Sequence, residues 1–118
     1  MMRRALAIKE QSYGKDHPNV ARDLNNLAVL LHALNRFAEA EPMMRRALAI
    51  DEQSYGKDHP NVARDLNNLA QLLRATNRFV EAEPLMRRVV EIFLKLTRAT
   101  GRPQPHLQAA VNSYAALL

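Results

Sequence analysis

The chain contains no cysteine and no tryptophan, only three glycines, and 5% aromatic residues in a length of 118. Without thiols there can be no disulfide and no thiolate-held metal, so packing alone must hold the fold. That composition fits a cytoplasmic protein, which is the expected localisation. Three glycines, all at expected helix ends or loops, cannot build a phosphate-cradling loop, and neither GxSxG nor HExxH occurs. No enzyme is therefore expected, with no catalytic residue, no cofactor and no metal. No apolar run approaches the roughly 18 residues that a membrane span requires. No signal peptide is expected either, because Met1-Met2-Arg3-Arg4 leads straight into repeat sequence.

What the chain does have is repetition. Residues 1–42 and 43–84 differ at only five of 42 positions: Lys9/Asp51, Val29/Gln71, His32/Arg74, Leu34/Thr76 and Ala38/Val80. A third unit opens at Leu85 with LMRR and then drifts. A fixed period of this length marks a stacked array in which each unit covers its neighbour's apolar face. The hydrophobic fraction of 47% is ample for such a core. The net charge of +5 rests on 13 arginines and four lysines, a balance that admits acidic partners. Glu41 and Glu83 stand four residues before Arg45 and Arg87, the order that favours pairing across one helical turn. Aromatics are too few to form stacking platforms for single strands, with Phe37 and Phe79 expected in packing, so nucleic acid is not the expected partner.

Within a unit the apolar residues recur at helical steps. Val20, Leu24, Leu27, Ala28 and Leu31 form one stripe, and Phe37, Ala40, Met44, Ala47 and Leu48 form another. The short Asn35-Arg36 link makes the two helices antiparallel. Gly56 is expected to stop the second helix, Asp58 to cap the next, and Pro60 to occupy its first turn. Pro42 and Pro84 fall past the first turn, so a mild bend near Ala38 and Val80 is expected with the helix continuing. About six helices follow, over about 1–13, 18–34, 36–55, 60–76, 78–99 and 104–118. They group as a half unit (1–17), two units (18–56 and 57–100, the latter with a long second helix) and a closing half unit (101–118). The segment Val89–Leu96 is apolar almost all round and calls for cover on more than one side.

The stretches HPNVARDLNNLAVLL and NRFAEAEPMMRRALAI, present in both copies, resemble tetratricopeptide repeats of the 42-residue variety seen in kinesin light chains. Leu24, Leu27, Ala28 and Leu31 match the packing positions of the first helix, and Phe37, Ala40, Met44 and Ala47 those of the second. The resemblance implies an all-α, right-handed α-solenoid of antiparallel helix pairs whose first helices line a concave groove. Asn35 and Asn77 stand where a turn glycine is usual, a place asparagine can take because it tolerates positive φ. The third unit, TGRPQPHLQAAVNSYAALL, is a looser match.

Opposite the first-helix stripe runs a mostly polar face: Arg22, Asn25, Val29 and His32, then Arg64, Asn67, Gln71 and Arg74, with Ala109, Asn112 and Ala116 in the half unit. These are the candidate peptide-groove residues. An asparagine offers a donor and an acceptor to a peptide backbone, and flanking arginines can bind carboxylates. Two of the five differences between copies, Val29/Gln71 and His32/Arg74, fall on this face. Asn26 and Asn68 beside it are expected to be structural. His17, His59 and His106 occupy one loop position in successive units and read as loop caps, since ligands spread along an array cannot converge on one ion. The expected function is a protein-interaction scaffold holding an extended, acidic peptide or protein segment in the groove. The alternative is self-assembly, a homo-oligomer made by stacking the unpaired terminal helices head to tail. No membrane partner is expected.

Overall fold

A computed structural model describes residues 17–101 and 107–117, and the expected helix over about 1–13 and His106 lie outside these. Five α-helices appear among the described residues: α1 (Pro18–Ala33), α2 (Phe37–Tyr55), α3 (Pro60–Ala75), α4 (Phe79–Thr100) and α5 (Leu107–Leu117). The chain divides into two units, 1–57 and 58–118. The first holds the α1–α2 hairpin; the second holds α3, α4 and α5, with α4 packed on both of the others.

In the first unit Val20, Leu24, Leu27, Ala28 and Leu31 are all buried, as their spacing requires. Val20, Ala21 and Leu24 near the start of α1 pack with Ala47 and Ile50 near the end of α2, Met43 closing the edge. Only an antiparallel hairpin makes that pairing. The second unit repeats it more tightly: Val62, Leu66, Leu69 and Leu73 are buried in α3, and Ala82, Met86, Val89 and Ile92 in α4. Burying one such aliphatic side chain is worth about 1.5–3 kcal/mol. The exposed pairs Glu41–Arg45 (3.0 Å) and Glu83–Arg87 (3.5 Å) form as expected, but each contributes only about 0.3–0.5 kcal/mol. Packing decides the fold.

The turns follow from local chemistry. Asn35 and Asn77 take φ of 60° and 61°, which lets the chain close each hairpin. The Arg36 N–H donates to Leu31 C=O at 2.8 Å and the Asn35 N–H to His32 C=O at 2.9 Å; Arg78 and Asn77 do the same to Leu73 and Arg74 at 2.7 and 3.0 Å. These paired bonds satisfy carbonyls that a helix end leaves open. Gly56 has φ 86° and ψ 169°, a region essentially closed to residues with a Cβ. Pro42 and Pro84 lie inside α2 and α4, and both helices continue past them. The missing N–H costs one bond, which the buried stripes on either side outweigh.

The residue that caps α3 is His59, not Asp58. Its Nδ1 accepts from the Asn61 N–H at 3.1 Å, as His17 Nδ1 does from Asn19 at 3.0 Å in α1. In both places proline takes the first helical position and the next N–H is the one left needing an acceptor. Asp58 instead pairs with Lys95 of α4 at 3.1 Å. His59→Ala should therefore lower unfolding stability by about 0.5–2 kcal/mol, while His59→Asn should retain most of it; urea melts of the three proteins test this.

Candidate functional site

A cavity of about 420 Å³ opens within the second unit among α3, α4 and α5. Its floor is Val89 and Phe93 of α4, from the segment that the sequence marks as apolar all round. One wall is α3, with Asn61, Ala63, Arg64 and Asn67; the other is α5, with Ala109, Ala110 and Ser113. The side chains of Ala109, Ala110 and Ser113 are too short to fill the space above Phe93, so the cavity stays open. Arg64 is the charged residue among those lining it. Its Nη2 lies 3.5 Å from Asp65 Oδ1, with the arginine exposed and the aspartate buried. The site thus combines an apolar floor, an amide, a hydroxyl and an accessible guanidinium, a set that can hold a side chain and a neighbouring polar group. It has no nucleophile–base pair, and no group of three metal-ligating residues occurs among the described residues.

The predicted groove residues divide accordingly. Arg64 and Asn67 share the cavity wall. Gln71 and Arg74 lie further along α3, half-buried, with the Arg74 Nη1–H donating to Gln71 Oε1 at 3.4 Å. Asn112 does not join the cavity: it is exposed and accepts from Gln108 Nε2 at 2.9 Å, while Ala109 and Ser113 face inward. In the first unit Arg22 and Val29 are exposed, and His32 sits edge-on to Phe37 with ring centroids 5.2 Å apart.

Asn25 departs from its expected exposure, with only 4% accessible. It lies between Ala21 and Ala28, both fully buried, on a second, small-residue stripe stepping by four and three. A bonded amide can be buried at little cost, so its polarity did not place it on the surface. Asn67 holds the same position between Ala63 and Ala70 and is half-buried beside the cavity. Asn26, expected to be structural, is exposed. Phe79, expected in packing, is 48% exposed. Missed by sequence reasoning were Asn61, Ala110 and Ser113. The one signal for Ala110 and Ser113 was the run of small residues in the last unit.

Tyr114 fixes α5 to α4 by donating its hydroxyl proton to Glu83 Oε1 at 2.8 Å. That bond, with partial desolvation and the charge of Glu83, raises the Tyr114 pKa above the ordinary tyrosine value. A pKa raised by folding means that the contribution is complete below the ordinary value and is lost as pH rises through the folded one. Alkaline titration followed by tyrosinate absorbance should show a late-ionising tyrosine that Tyr114→Phe removes and Glu83→Gln shifts downward.

The comparisons with known proteins agree with this architecture. The tetratricopeptide-repeat family model matches residues 1–53 and 24–95, and the chain belongs to that family. Among solved structures, one from Podosopora anserina, assigned as a kinesin light chain with nearly identical TPR-like repeats, superposes with a TM-score of 0.86 at 23% identity. The match covers 98% of this chain and 54% of that one. BtubC (BKLC) from P. vanneervenii gives 0.80 at 25% identity, over 98% and 44% of the two chains. The chain thus spans about half the length of the solved structures it matches. No curated protein sequence matches it. The family is one of non-catalytic repeat scaffolds that generally mediate protein–protein interaction. No described helix is long and apolar enough to cross a membrane.

Proposed function

We propose that the chain is a cytoplasmic interaction module that holds an extended, acidic segment of a partner protein. One side chain of that segment enters the second-unit cavity, and its carboxylates meet Arg64. The observation that carries this reading is the cavity itself: about 420 Å³ with an apolar floor, bordered by an accessible guanidinium and the Asn67 amide. Apolar burial supplies the attraction. The guanidinium supplies the preference for acid, because its planar fork matches a carboxylate with two N–H donors. Asn67 can accept from a peptide N–H and donate to a peptide carbonyl at once, which suits an extended backbone and demands no particular side chain. The net charge of +5 favours approach of an acidic segment and makes association sensitive to salt. On this reading Gln71 and Arg74 extend the contact along α3, and Arg22, Val29, His32 and Asn112 are secondary positions. Asn25 serves packing.

A panel of fluorescent extended peptides, matched in apolar residues but acidic, neutral or basic otherwise, tests this by anisotropy. Acidic peptides should bind best, and weaken as salt rises. Arg64→Glu should reduce their affinity at least tenfold, about 1.4 kcal/mol, and Asn67→Ala severalfold, with helix content unchanged by circular dichroism. Equal binding of all peptides, or affinity indifferent to both substitutions, would refute the assignment.

A further inference from the structure

Two of the five differences between the copies give α3 a face that α1 lacks. Arg64, Asn67, Gln71 and Arg74 follow one another at steps of three, four and three, which keeps them within about 80° of one another around the helix. Arg64 is exposed and the other three are half-buried, so an arginine stands at each end of a row whose middle is two amides. In the first unit the same positions hold Arg22, Asn25, Val29 and His32. There Asn25 is buried, Val29 is exposed, and the His32 ring packs edge-on to Phe37. Of those four residues only Arg22 carries a permanent charge, whereas the row on α3 carries two.

The row starts at the cavity, whose wall includes Arg64 and Asn67, and leads away from it. Arg64 and Arg74 are separated by a helical rise of about 15 Å. The Arg74 guanidinium reaches back to Gln71 Oε1 at 3.4 Å, which shortens the distance between the two charges. An extended chain advances about 3.3 Å per residue, so residues four apart lie about 13 Å from one another and fit that gap. Extended residues also alternate in direction, and only those an even number apart turn to the same side. A spacing of three or five would fit nearly as well by length and would point the second acid away; a spacing of two would place it over the amides. We propose that α3 reads a partner segment carrying acidic side chains at positions i and i+4, one meeting Arg64 and the other Arg74. The inference rests on the cavity reading and adds to it the spacing of the acids. Asn67 and Gln71 lie beneath the residues between the two acids, where their amides can pair with peptide groups. Arg74, in the last turn of α3, also complements the helix dipole; that role alone predicts an effect on stability and none on spacing.

Fluorescent peptides with an apolar anchor beside a first glutamate, and a second glutamate three, four or five positions along, test this by anisotropy at pH 8. Each is made in both sequence orders, because the row does not fix the direction of the bound chain. The i+4 peptide should bind about three- to fivefold more tightly than the i+3 and i+5 peptides, and than one with glutamine at i+4. Arg74→His should erase that advantage and leave a single-glutamate peptide unaffected, since an ordinary imidazole is neutral at this pH. The first copy carries His32 at this position within the intact helix α1, so the substitution suits the fold. Arg74→Lys should keep part of the advantage. Affinity indifferent to spacing, or an Arg74→His loss shared equally by the single-glutamate peptide, overturns the proposal and leaves the cavity reading standing. Failure of every acidic peptide to bind overturns both.

Discussion

Every other feature of this chain depends on one contact: the aliphatic stripe of a first helix laid against the alanine–methionine stripe of the helix that follows. Ala40, Ala47 and Ala82 are fully buried, and their short side chains let the two backbones approach closely enough for Leu24, Leu66 and Leu69 to fill the space between. Each buried aliphatic outweighs several of the exposed glutamate–arginine pairs along α2 and α4. The pairs, histidine caps and asparagine turns set where helices begin and end; they do not hold them together. This explains how two prolines can sit inside helices, since the burial on either side exceeds the cost of a missing bond.

The cavity is a consequence of that same contact carried into a unit that has drifted. Helix α4 still presents Val89 and Phe93 as though a full-sized helix were to cover them, but α5 offers Ala109, Ala110 and Ser113 at the matching height. Packing that is close between α3 and α4 therefore opens into a hollow between α3 and α5. The hollow lies beside Arg64 and Asn67, so a defect in packing becomes a place where a partner's side chain and its carboxylates can be held. On the same helix Val111 and Ala115 are exposed.

Much of the fold was legible because it is local. The steps of three and four along Val20–Leu31 and Val62–Leu73 admit only helices, and a two-residue link admits only an antiparallel return. Positive φ at Asn35 and Asn77 and at Gly56 could be assigned from residue type. The Asp58–His59–Pro60 cap was misplaced by one residue because both Asp58 and His59 can accept a bond, and only the helix register shows which one faces the Asn61 N–H. The site was less legible. The pattern Arg22–Asn25–Val29–His32 appears as one polar face, but helices in an array have several neighbours, and Asn25 falls on the side that closes. Asn112 was aligned with Asn67, but in α5 it is Ser113 that lines the cavity.

The sequence by itself determined the class of protein: helical repeats, paired antiparallel, with a named core stripe and no recognisable catalytic motif, since periodicity and turn chemistry act within a few residues of one another. Only the tertiary structure decided which polar positions are reachable. Exposure belongs to the set of helices around a side chain, not to the side chain, and two asparagines in the same repeat position can differ in it. The cavity over Phe93 exists for that reason, as a property of how large and small residues meet between helices far apart in the chain.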